Sequence, residues 1–178
     1  YLLFTSGSTG EPKGVPITHG NLCEYIRGIK LINKVTPQDR IVQIVSVTFD
    51  LSAHDMFLAW TSGAALYSLP ENVGALAGRF VDEFGITCWL SVPSTAALMK
   101  QAGILKRSSM PSLRISFFCG EALSDCIAQT WSEAAPNSSL VNLYGPTEAT
   151  IAISYFPYDP NEIDRPSILP LGKPIGNQ

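Results

Sequence analysis

Thr5, Ser6, Ser8 and Thr9 crowd their hydroxyls into one short loop with Gly7 and Gly10, and Lys13 follows directly. Hydroxyl donors, closely approaching backbone amides and one ammonium together suit an anion, above all a chain of phosphates. Two familiar phosphate grips are excluded by spacing. A P-loop requires GxxxxGK[ST]. Counting from Gly7 places Pro12 where its second Gly belongs and Gly14 where its Ser or Thr belongs. A dinucleotide GxGxxG fails as well, because Gly7, Gly10 and Gly14 stand three and four apart. A flexible Gly/Ser linker has the same composition. The setting argues against that alternative, since the loop lies between an apolar strand and the apolar Val15.

Thr147 and Glu148 form a second candidate group. They follow Gly145-Pro146, a pair that forces a turn, and Tyr144 offers a ring face on which a purine can stack. Taken alone, Thr147 and Glu148 also read as a helix cap and first turn. A carboxylate working beside phosphates needs a cation between them, and hard Mg²⁺ prefers oxygen ligands. Asp50 is a third candidate. The run Ser52 to Asp55 reads as a capping box, which would leave Asp50 a solvated residue ahead of a helix. Flanked by Phe49 and Leu51, its carboxylate instead demands a cationic partner, because an unpaired buried charge costs several kcal/mol. The four cysteines (Cys23, Cys88, Cys119, Cys126) are irregularly spaced with two histidines to assist them. A zinc site is not expected, and reduced thiols in a cytoplasmic protein are.

The elements that must position these groups follow from periodicity. Strands are predicted at Tyr1 to Thr5, Arg40 to Val45, Ala64 to Leu69, Thr87 to Val92, Leu113 to Phe118, Leu140 to Leu143 and Ile151 to Phe156. Helices are predicted over Asn21 to Ile32, Ser52 to Trp60, Ser94 to Gln101 and Ser124 to Ala134. Alternating strands and helices imply an α/β fold, a layered and largely parallel sheet flanked by helices within a single domain over residues 1–178. Ligands in such folds bind beyond the carboxyl ends of the strands, which directs attention to the chain after Phe4, Val47, Val92, Phe118 and Leu143. The 178 residues are 46% hydrophobic with a net charge of -3, which gives no electrostatic footprint for nucleic acid. No apolar run approaches the roughly 20 residues of a membrane span.

The stretch "LLFTSGSTGEPKGV" resembles the signature loop of the adenylate-forming (AMP-binding) superfamily, which includes nonribosomal peptide synthetase adenylation domains, acyl-CoA synthetases and luciferases. "FDLSAHD" and "NLYGPTEAT" resemble two further core motifs of amino-acid adenylation domains, in the same order. "CGEALS" is similar to the adenine-side loop between them. "FDLS" is also similar to D-alanine–carrier protein ligases.

The resemblance implies attack of a substrate carboxylate on the α-phosphorus of ATP, giving an acyl-adenylate and pyrophosphate. It implies that Thr5, Ser6, Gly7, Ser8, Thr9, Gly10 and Lys13 clamp the phosphates, and that Lys13, Thr147 and Glu148 serve catalysis, with Glu148 on Mg²⁺. Adenine would lie among Gly120, Glu121, Ala122, Asn142 and Tyr144. Asp50 would hold the α-ammonium of an amino acid, which aryl- and fatty-acid-activating relatives generally do without. The substrate pocket would comprise Asp50, Leu51, His54, Ser91, Phe117, Cys119, Leu143, Ile151 and Ala152, suited to a small or medium uncharged side chain. A carrier protein's phosphopantetheine thiol would accept the product. The ionised carboxylate needs no base, so His54 would shape the pocket, and Cys119 has no paired base to make it a nucleophile.

The sequence departs from the family by omission. No stretch resembles the later YRTGD motif, and Lys173 does not match the catalytic lysine of the small C-terminal domain. The chain is therefore expected to be part of a large N-terminal domain with little activity alone. An acyl-CoA synthetase fragment and a non-catalytic nucleotide-binding remnant are the rival readings.

Overall fold

A computed structural model describes residues 1–6, 10–69 and 77–176. Strands β1 (Leu2–Ser6) and β2 (Pro12–Pro16) form an antiparallel hairpin, with Thr5 opposite Lys13. Helix α1 (His19–Ile32) starts at a reciprocal cap: the Asn21 amide donates to Thr18 Oγ1 and the Thr18 amide to Asn21 Oδ1. The chain continues through β3 (Arg40–Gln43), α2 (Leu51–Ser62), β4 (Ala65–Ser68), α3 (Ala77–Glu83), β5 (Cys88–Ser91) and α4 (Pro93–Gln101). It then forms β6 (Ile115–Phe118), α5 (Asp125–Ala134), β7 (Ser139–Tyr144), a 3-10 turn (Thr147–Ala149), β8 (Ser154–Pro157) and β9 (Lys173–Pro174).

The main sheet has seven strands in the order β4-β3-β5-β6-β7-β8-β9. Pairing is parallel from β4 through β7, and antiparallel for β8 and β9. This is the expected layered α/β arrangement. Alternation along each strand sorts the core into two layers. Cys88, Leu90, Ile115, Phe117, Val141 and Leu143 face α1 and α2. Trp89, Phe118 and Leu140 face the other way, toward α3, α4 and α5. Among the described residues no helix is long and apolar enough to cross a membrane.

Several elements differ from expectation. The first strand does not join the main sheet, because β2 pairs with it; prolines at both ends of β2 are tolerated on such an edge. The strand expected from Ile151 begins only at Ser154, since Thr150 and Ile151 take φ of 64° and 71°, outside the strand region. The capping box over Ser52 to Asp55 does not form. Asp50 occupies the N-cap position without a side-chain capping bond, and Asp55 is fully buried.

An ion pair with a buried carboxylate ties together the amino ends of β3, β5 and β6. Asp39 accepts from Arg114, Thr87 Oγ1 and the Thr36 amide, and these donors hold its carboxyl well below the usual range against the opposing effect of burial.

Candidate active site

At the carboxyl ends of the parallel strands lies a cavity of about 560 Å³. Its wall includes Asp50 and Leu51 at the start of α2, Cys119 and Gly120 after β6, and Thr147 and Ile151 beyond β7. A second cleft of about 290 Å³ adjoins it, lined by Gly120, Glu121, Ala122, Asn142, Leu143 and Tyr144, with Ile168, Leu169 and Leu171 opposite. Gly120, Glu121 and Gly145 border both spaces. The predicted adenine group is thus gathered around one cleft, beside the cavity that holds Asp50.

Backbone geometry keeps the junction open. Gly120 has φ +91°, and a Cβ there would stand 3.3 Å from Val92. Gly145 lies so close to the returning chain that a Cβ would meet Ala152 Cα at 2.5 Å. Glycine alone fits both places.

Asp50 is half-buried. Burial raises its carboxyl above the usual range; the Thr147 hydroxyl and the Leu51 amide oppose that effect, while the Glu148 charge adds to it. A cation arriving in the cavity would reverse it. Glu148 itself is exposed on the 3-10 turn. Among the described residues no group of three His, Cys, Asp or Glu could hold a metal. The single Glu148 carboxylate fits Mg²⁺ only as that ion is usually held beside nucleotides, by one or two carboxylates plus phosphate oxygens.

Thr5, Ser6, Gly10 and Lys13 belong to the hairpin rather than to the cavity wall, and Lys13 and Ser6 are exposed. Strand β2 nevertheless passes beside the Thr147–Ala149 turn, so the lysine-bearing strand and Glu148 share one edge of the site. Gly7, Ser8 and Thr9 lie outside the described residues.

Asn142 is buried; its Nδ2 donates to the Pro170 carbonyl at 2.9 Å, and its Oδ1 has no partner among the described residues. A buried acceptor without a donor is a cost that a ligand amine would relieve, which fits a purine in this cleft. The Glu121 carboxylate is otherwise engaged: it accepts from the Ser94 amide and hydroxyl, both at 2.9 Å, at the start of α4. That residue borders the cleft while fastening α4 to the loop.

The predicted substrate residues divide into separate groups. Asp50, Leu51, Cys119 and Ile151 line the main cavity, and Leu143 lines the cleft. His54, Phe117 and Ala152 are fully buried behind that wall. Ser91 is not brought to the site. Its hydroxyl accepts from Trp89 Nε1 at 2.9 Å and donates to the Val92 carbonyl, so it lies on the Trp89 side of β5, opposite Leu90. Period-two alternation from Trp89 would have shown this. Sequence reasoning also passed over Thr95 and the run Ile44 to Ser46, which line the cavity after strands whose carboxyl ends were flagged. Ile168, Leu169 and Leu171 carried no periodic signal. Burial pushes the Cys119 thiol up to about 12, with Asp50 adding to the shift, which opposes a nucleophilic role.

A family described as AMP-binding enzyme matches residues 1–178. The chain is 34% identical to a D-alanine--D-alanyl carrier protein ligase from Bacillus cytotoxicus, over 97% of this chain and 35% of that protein. It is 37% identical to an L-proline--[L-prolyl-carrier protein] ligase from Streptomyces coelicolor, over 98% of this chain and 33% of the relative. Among solved structures, the Vibrio cholerae adenylation domain AlmE in complex with glycyl-adenosine-5'-phosphate superposes with a TM-score of 0.93 at 40% identity, over 99% of this chain and 33% of that one. The chain therefore spans about a third of the length of these relatives.

Proposed function

The chain belongs to the AMP-binding enzyme family, and on that premise we propose that it carries the nucleotide and substrate sites of an ATP-dependent amino-acid-activating domain. Its product would be an aminoacyl-adenylate with release of pyrophosphate, passed on to the phosphopantetheine thiol of a carrier protein. The observation that carries this reading is Asp50, a half-buried carboxylate at the cavity wall with its charged form disfavoured until a cation arrives. An amino acid supplies that cation at the right end of the molecule, leaving its carboxylate free to face the nucleotide.

The other residues take roles that follow from position. Asn142, Tyr144 and the Gly120–Ala122 loop enclose the base in the cleft. Thr147 lines the same cavity and bonds the Asp50 carboxyl through its hydroxyl. Glu148 would hold Mg²⁺, which lowers the repulsion between two anions that must meet. Lys13, on the hairpin beside that turn, adds positive charge for the phosphates together with Thr5, Ser6 and Gly10. Gly7, Ser8 and Thr9 complete the loop in sequence.

The relatives named for carrier-protein ligation and the glycyl-adenylate complex support the same class of substrate. A cytoplasmic setting, with ATP and reducing conditions, suits four cysteines that are all free thiols. The test is amino-acid-dependent ATP–pyrophosphate exchange by the full-length protein. Asp50→Ala is expected to abolish the amino-acid dependence. Exchange driven equally well by carboxylic acids lacking the amine, and untouched by Asp50→Ala, would instead identify an acyl-CoA synthetase.

A further inference from the structure

Behind the cavity wall formed by Asp50, Leu51 and Cys119 stands a layer of buried aromatic rings in mutual contact. His54 stands one turn further along α2 than Asp50, on the same face. Phe117 stands two residues before Cys119 on the same side of the sheet, one pleat deeper. Neither lines the cavity, whereas Asp50 and Cys119 both do. The His54 ring meets Phe117 edge-on with centroids 5.1 Å apart. On its other side it meets Tyr25, edge-on at 5.8 Å. Tyr25 comes from α1, is completely buried, and joins His54 Nδ1 through its hydroxyl at 2.7 Å.

We propose that Tyr25 is a positioning residue for substrate selection: through its hydrogen bond it fixes His54 against Phe117 as a closed floor, which restricts the cavity to a small amino-acid side chain. The proposal rests on the amino-acid-activating reading above. An imidazole needs such a fastening, because a histidine in an apolar layer has two ring nitrogens to satisfy and several rotamers to choose from. Burial keeps that ring uncharged, its pKa pushed down to about 3, so the floor presents no cation to the ammonium held by Asp50. Tyr25 lies 29 residues before His54 on a different helix, where no motif of the substrate pocket would place a specificity residue.

The test uses the full-length protein in ATP–pyrophosphate exchange with glycine, alanine, valine and leucine. A parallel series of carboxylic acids of the same lengths lacks the amine. The wild type should favour the short substrates, since each misfit methylene shifts discrimination by about 10- to 200-fold. His54→Gly and Tyr25→Ala should each move the leucine-to-alanine ratio at least tenfold toward leucine. Tyr25→Phe keeps the ring and removes the hydrogen bond; it should raise KM for alanine several-fold while kcat and the ATP KM hold. Thermal melts identify variants that fail to fold, in which case the wild-type length profile decides.

Wild-type preference for leucine over alanine would overturn the proposal, as would a folded His54→Gly variant that still rejects leucine. If His54→Gly admits leucine but Tyr25→Phe behaves as wild type, the positioning role of Tyr25 is refuted. Exchange with the amine-free series alone would sink the amino-acid reading, yet its length profile would still report on the floor.

Discussion

Asp50 and His54 stand one helical turn apart at the start of α2, and burial drives both toward their uncharged forms. The carboxyl is raised and the imidazole lowered, so the same apolar surroundings act on two groups of opposite charge type. Only Asp50 faces the cavity. It can therefore recover its charge when a cation binds, while His54 has no such route.

Amino-acid affinity should accordingly depend on pH through Asp50. Binding an ammonium requires the ionised carboxylate, so KM for the amino acid should climb as pH falls through the raised pKa, while KM for ATP changes less. Asp50→Asn should remove this dependence and weaken the amino acid by about 2–5 kcal/mol, the usual cost of losing one partner of a buried charge pair. Steady-state kinetics across pH on the full-length protein measures both. An amino-acid KM that tracks the ATP KM at every pH would contradict the assignment.

Stability should likewise be lost toward acid, here through His54. Its folded pKa, about 3, lies below the ordinary value of 6.5. Between those values the unfolded chain binds the proton and the folded one does not, so stability is fully present above about pH 6.5 and falls as pH drops toward 3. The slope from this one group approaches about 1.4 kcal/mol per pH unit. His54→Gln should flatten that part of the denaturation-midpoint profile, and an unchanged slope would mean that other groups govern it.

The amino ends of the central strands offer an independent test. Asp39 is buried at 3% exposure, and its partner Arg114 retains 38%. Removing one member of a buried pair costs about 3–5 kcal/mol; with Arg114 partly solvated, Asp39→Ala should fall at the lower end, about 3 kcal/mol. Because the Asp39 pKa is lowered in the fold, its contribution is present above the unfolded value and disappears in acid. Urea denaturation at neutral and acid pH should show the variant's deficit shrinking as pH falls.

The layered fold was legible in the sequence because β5 and β6 are short, largely apolar runs buried on both faces, and because a cap such as Ser124 marks a helix start. The grouping of Gly120, Glu121, Ala122, Asn142 and Tyr144 around one cleft was legible for a different reason: the resemblance names these residues together, and they lie at or after strand ends. What stayed hidden depended on contacts between distant segments. Tyr25 reads as one more apolar position on α1 until α2 is packed against it. Ile151 reads as the start of a strand until the approach of Ala152 to Gly145 forces the chain out of that conformation. The resemblance places Ser91 in the substrate pocket, whereas its hydroxyl lies on the Trp89 face of β5 and accepts from Trp89 Nε1.

That approach at Gly145 supplies a last prediction. A Cβ on Gly145 would stand 2.5 Å from Ala152 Cα and 2.9 Å from the Ile153 nitrogen, both backbone atoms that no rotamer change can move aside. Gly145→Ala must therefore displace the segment that holds Thr150 and Ile151 at positive φ, at a cost of about 1–3 kcal/mol typical of overpacking. Ile151 lines the cavity, so the displacement should also raise KM for the amino acid. Gly103 provides the control: its φ is +69° but nothing lies within 4 Å of an added Cβ. Gly103→Ala should lose only the backbone term, about 1–2 kcal/mol, and leave KM unchanged. Denaturation and exchange kinetics on both variants separate the two effects. Equal KM values for Gly145→Ala and Gly103→Ala would show that the turn after β7 does not set the shape of the cavity.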